Sequence, residues 1–147
     1  MGDCQLVLRF FALEDDAHIN GSIKAMLDRC MERNLECTRE AAVEFKKRYL
    51  ERLTFADQLF DGHPFALKLD PTQYRPVAGI YDGVMIALDK LWDKRDALLA
   101  RKSELQMAYL AFTDAHSGSG ELTGAANTAV DIKSRIKRFR DLFVEYT

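Results

Sequence analysis

The chain has 147 residues, 21 Lys and Arg against 23 Asp and Glu, a formal net charge of -2, and 48% hydrophobic residues. A chain of this length buries roughly 70% of the surface that its unfolded form exposes, so a core forms without metal or disulfide. The balanced charge argues against a protein that wraps a polyanion, and no stretch approaches the ~20 apolar residues that span a bilayer.

In chain order, the segment Gln5 to Leu13 carries Leu6, Val7, Leu8, Phe10, Phe11 and Leu13 over most of a helical wheel. Arg9 alone interrupts it, which predicts a helix buried on all sides. After the polar turn Glu14 to Gly21, Ser22 is a good N-cap for a helix with Ile23, Met26, Leu27, Cys30 and Met31 on one stripe, stopped by Asn34. Thr38 caps a longer helix through Ala42, Phe45, Tyr49, Leu53, Ala56 and Phe60, ending near Asp61-Gly62. Pro64 and Pro71 predict an irregular crossover from Gly62 to Arg75 with Phe65 and Leu67 tucked inward, and Pro76 suits the first turn of the next helix.

That helix places Ile80, Tyr81, Val84, Met85, Leu88, Leu91 and Trp92 on one wide stripe, with Asp82 and Asp89 opposite. The charged run Asp93 to Asp96 breaks or bends it. Ser103 to Gln106 fits a capping box for a helix carrying Leu105, Ala108, Tyr109 and Phe112. Beyond a Gly-Ser loop at Ser117 to Gly120, a last helix from about Ala125 to Glu145 aligns Ile132, Ile136, Phe139 and Phe143. There are no period-2 strands with hairpin signals, no repeat and no sustained heptad. The expectation is a single all-α domain over 1–147, an irregular bundle of about six helices.

Chemistry is sparse. His18, His63 and His116 each stand without a second ligand at metal spacing, and Cys4, Cys30 and Cys37 are an odd number at no ligand spacing. The cysteines read as reduced thiols, and with no signal peptide at the start the expected location is cytoplasmic. Gly118-x-Gly120 follows no strand and lacks a phosphate-loop lysine, and no serine sits in a nucleophile elbow. Asp61-Gly-His63 reads as turn chemistry before it reads as a general base. No catalytic residue, metal or cofactor is therefore expected.

Two charges stand out. Arg9 within its apolar helix calls for a carboxylate or helix-end carbonyls, because an unpaired buried guanidinium is costly. Arg135, at the border of the last helix's stripe, is read as doing the same from the other side of the core. Between Lys133 and Arg140 lie five basic residues and no acid, and Lys133, Lys137, Arg138 and Arg140 are the candidates for DNA contact. The same cations suit the C-terminal half of a helix, and Asp131, Asp141 and Glu145 flank them.

Three blocks carry a resemblance: Cys4-Gln-Leu-Val-Leu-Arg-Phe-Phe-Ala-Leu13 followed by Gly21-Ser-Ile-Lys-Ala-Met-Leu-Asp-Arg29; Phe65 with Ile80-Tyr-Asp-Gly-Val-Met85; and Thr128 to Ile136 ending in Arg135-Ile136. In order and spacing they resemble the C-terminal helical half of the GmrSD N-terminal-type, ParB-like nuclease family, whose members are bacterial DNA-restriction and phage-defence proteins. The family's Asp-Gly-Gln-Gln-Arg-type signature lies in an N-terminal half that this sequence does not contain. The resemblance implies a helical module cut just after the chemistry, with Met1 falling where the family runs on from the preceding domain. No catalytic position carries over; Arg9 and Arg135 match as core or docking residues.

The functional expectation is a non-catalytic helical interaction module of, or derived from, such a defence protein. It would dock a nuclease or NTPase partner or self-associate, touch DNA at most locally, and avoid membranes. The alternatives are a stand-alone regulator or inhibitor of such a system, and an enzyme using Asp61, His63 or Asp82. With the neighbouring half gone, the first helix is expected to expose an apolar patch.

Overall fold

The computed structural model describes residues 3–147. One helix, α4 (Ala78–Lys90), runs through the centre, and every residue from Gly79 to Leu88 is buried. Around it lie α1 (Asp3–Leu13), α2 (Ile23–Arg33), α3 (Arg39–Leu59), α5 (Arg95–Ala100), α6 (Lys102–Ala115), the single turn α7 (Gly120–Thr123) and α8 (Ala129–Val144). Short 3-10 turns at Asp16–His18 and Trp92–Lys94 complete the helical part. A small antiparallel hairpin, β1 (Ala66–Lys68) and β2 (Tyr74–Pro76), lies between α3 and α4.

The caps of the second and third helices form where the sequence places them. Ser22 Oγ accepts from the Ala25 amide at 3.2 Å and Thr38 Oγ1 from the Ala41 amide at 3.1 Å, while Asn34 closes α2. Each such cap satisfies a donor that the first helical turn leaves orphaned. On α8 the stripe Ile132, Ile136, Phe139 and Phe143 is buried against α4, each side chain contributing about 1.5–3 kcal/mol of burial.

Several expectations are corrected. The helices number eight among the described residues, because a short α5 is set off from α6 at Arg101 and α7 is added in the glycine-rich loop. The first helix is not buried all round: Arg9, Phe10, Ala12 and Leu13 are buried, whereas Leu6, Val7, Leu8 and Phe11 are half-open. Met31, expected on the inner stripe of α2, is half-exposed. The crossover is a hairpin of three-residue strands, too short for an alternating pattern to announce. Its turn is held by Asp70, whose Oδ1 accepts from the Thr72 and Gln73 amides at 2.8 and 2.9 Å.

Pro76 ends β2, opposite Ala66, and α4 starts only after the extended residue Val77. The capping box expected at Ser103 is absent, since α5 passes into α6 through Arg101 alone and Ser103 already lies inside the helix. The box forms instead at Thr128 and Asp131, and α8 accordingly begins at Ala129 and not at Ala125. Finally, Asp82 is not on a solvent face, and Asp89 is half-buried. With α4 surrounded, it has no solvent face to offer them.

Candidate functional site

Asp82 is the buried centre of an ion cluster that joins three helices. Arg9 on α1 donates to it through both Nε, at 2.8 Å to Oδ1, and Nη2. Arg135 on α8 brings its Nη2 to 3.8 Å from Oδ2. Arg135 also donates to the Glu121 carbonyl at 2.8 Å and to Asn127 Oδ1 at 3.0 Å, leaving its buried Nε without a partner among the described residues. Burial is the largest influence on Asp82 and pushes its carboxyl up, opposed by the Arg9 bond and by the charges of Arg9 and Arg135. The two guanidiniums that the sequence singles out thus meet on one carboxylate. They join three helices, and the cavity that Arg135 lines measures only about 10 Å³.

A second network, which the sequence did not reveal, centres on Asp89. Arg48 and Arg52 of α3 donate to its Oδ1 through Nε at 3.1 and 2.9 Å. Arg48 also reaches Glu14 Oε2 at 2.6 Å, and the Arg52 guanidinium lies 3.7 Å from the centre of the Trp92 ring. This pins α3 and the end of α1 to the end of α4.

A wide opening among the described residues lies on the outer side of α1. Cys4, Val7, Leu8 and Phe11, at i, i+3, i+4 and i+7, floor a trough of about 820 Å³. The end of α2 and the following loop contribute Cys30, Met31 and Leu35 to its lining, and Phe45 of α3 lines it beside Phe11. Met31 is 50% and Leu35 80% exposed, more than isolated packing needs. Of the charges lining the trough, Glu14 is engaged by Arg48 and His18 Nδ1 lies 4.0 Å from Asp15. Arg33 is exposed and has no carboxylate within 4 Å among the described residues. Burial raises the Cys30 thiol above its ordinary range, so it stays protonated. The signal for this trough lies in the same spacing that predicts a helix, which gives α1 two apolar faces: Phe10 and Leu13 enter the main core, while Leu8 and Phe11 meet the smaller cluster of Ala12, Leu27 and Cys30 and stay half-open.

The other named residues are placed as follows. Asp61 is exposed, at a positive φ of 51, and accepts from Lys102 at 2.5 Å and Gln106 at 2.8 Å. Those bonds hold its carboxyl below the usual range, which makes it a poor base at neutral pH. His63 stacks on Tyr74 with ring centres 3.7 Å apart. Both border a small cavity of about 130 Å³, and Asp82 is not among its lining residues. On α8, Lys137 pairs with Asp141, Arg138 Nε lies 3.3 Å from Glu121, and Arg140 Nη2 lies 3.8 Å from Asp141. Lys133 is exposed with no carboxylate within 4 Å among the described residues. Among the described residues, no group of three or more His, Cys, Asp or Glu is placed to hold a metal ion, and no helix is long and apolar enough to cross a membrane.

Comparison of the chain with protein-family models, with curated proteins and with solved structures gave no match.

Proposed function

We propose that the chain is a non-catalytic helical interaction module of, or derived from, a bacterial DNA-restriction or phage-defence protein, and that it docks a nuclease or NTPase partner on the open face of α1. The observation that carries this is the half-open stripe Cys4, Val7, Leu8 and Phe11 along the trough, flanked by exposed Met31 and Leu35. Contiguous apolar surface of this kind, rimmed by polar residues, marks protein interaction sites. The resemblance of the Leu-Arg-Phe-Phe-Ala block and its followers supplies the kind of system. A regulator that takes the place of a homologous half would use the same face.

DNA contact is the subsidiary part of the reading. Three of its four candidates, Lys137, Arg138 and Arg140, have carboxylates beside them, so any contact rests chiefly on Lys133. An enzyme built on Asp61 and His63 is less well supported, because Asp61 is engaged by Lys102 and Gln106 and His63 by Tyr74.

The test is light scattering of the purified chain mixed with the nuclease-type half of a GmrSD-like protein. A complex is expected that Leu8→Glu abolishes. A chain that remains a monomer beside that partner removes the basis of the reading. Metal-dependent DNA cleavage by the pure chain, lost in His63→Ala, would replace it with the enzyme.

A further inference from the structure

Resting on the docking reading above, the geometry points to the nature of the docked element: we infer that the trough seats one amphipathic α-helix of the partner, laid along α1, with a carboxylate of that helix against Arg33. The trough is lined by α1, α2, α3 and the segments that join them, with Asn34 anchored by its Nδ2 bond to the Cys30 carbonyl at 2.8 Å. Among the described residues no sheet edge borders it, so an extended peptide would find no ladder of backbone donors and acceptors and would leave its own polar groups unmatched. A helix satisfies its backbone internally and brings only side chains to the trough.

The spacing of the floor agrees. Cys4 to Phe11 covers seven helical steps, about 10 Å at 1.5 Å per residue, or two turns. Ridges at i+3 and i+4 on such a floor mesh with ridges of the same spacing on a mate. A small apolar molecule would fill the floor but leave its upper side in water, whereas an amphipathic helix closes the trough with its polar face. Met31 is unbranched and adaptable enough to fold over the bound residues.

Charge sets the flank. With Glu14 already met by Arg48, the lining charge left without a carboxylate within 4 Å among the described residues is the Arg33 guanidinium. The mate therefore carries an acid on that side.

The experiment measures fluorescence anisotropy of labelled helix-forming peptides with leucines at i, i+3, i+4 and i+7, one version with glutamates and one with lysines on the flank. The glutamate peptide is expected to bind the wild-type chain and to lose at least about tenfold in affinity with Met31→Glu, a change at a half-exposed position that leaves the core intact. Arg33→Glu should weaken the glutamate peptide roughly fivefold and strengthen the lysine peptide by a similar factor, the scale of an exposed ion pair. If neither peptide binds while the nuclease-type half does, the helix inference is overturned and docking stands. If peptides bind but Arg33→Glu treats both alike, the acidic flank is overturned. Failure of both peptides and the nuclease-type half refutes docking itself.

Discussion

Gly83 and Phe139 are in such close contact that a Cβ built on Gly83 would stand 2.1 Å from Phe139 Cδ2. At Gly79, one turn earlier, a Cβ would meet the Leu122 carbonyl oxygen at 2.4 Å and Arg135 Nη1 at 2.5 Å. The two glycines let α8 lie against α4, and they let Arg135 reach Asp82.

Gly83→Ala therefore forces the helices apart. An overpacking cost of about 1–3 kcal/mol is expected, which lowers the melting temperature by several degrees. Trimming the ring by Phe139→Leu in the same chain should return part of the loss, as neighbouring substitutions couple. A Gly83→Ala chain that melts with the wild type would show that α8 does not press on α4.

Replacing Asp82 by Asn leaves Arg9 and Arg135 buried without an anion. Breaking a buried pair in this way costs about 3–5 kcal/mol. Denaturant unfolding of Asp82→Asn, Arg9→Met and the double variant is expected to give strong coupling between the two positions. Additive effects would separate Arg9 from Asp82.

The α8 capping box has a pH signature. Hydrogen bonds from the Thr128 hydroxyl and amide hold the Asp131 carboxyl below its ordinary value of 3.8. A carboxyl lowered in the folded state stabilises the fold above its unfolded pKa, and that contribution disappears as the pH falls through the lower, folded value. An NMR titration should find Asp131 on the acid side of ordinary, and Thr128→Ala should move it back up. An unshifted Asp131 in the wild type would mean that the box is open in solution.

The three thiols should fall into two classes. Cys4 and Cys37 are exposed, whereas Cys30 is buried and its thiol is raised by burial. A maleimide is expected to label two sites rapidly and the third slowly. Because all three line the trough, a bulky adduct on the fast pair should block peptide binding. Unimpeded binding by the labelled chain would move the docking site elsewhere.

What the sequence discloses here is mostly local. Ser22 and Thr38 cap their helices as read, since a cap depends on three neighbouring residues. The settings of Asp82 and Asp89 escape local pattern because their partners lie far away in sequence: Arg9 is 73 positions and Arg48 41 positions distant. Periodicity sees a polar residue off the apolar stripe and assigns it to water. Only the tertiary arrangement, four helices closing on α4, turns that face inward. For the trough, the spacing of Cys4, Val7, Leu8 and Phe11 is legible, but how far α2 and α3 cover that face of α1 is a tertiary matter.

The opposite sides of α1 now have linked consequences. The helix that floors the trough holds Asp82 from its reverse side through Arg9, so it cannot lift away with a departing partner without opening the middle of the molecule. Occupancy of the trough must then add to the resistance of the whole fold, by an amount that grows with the logarithm of partner concentration. That gain should register far from the contact surface, as slower hydrogen exchange at the amides of Ile80 to Leu88.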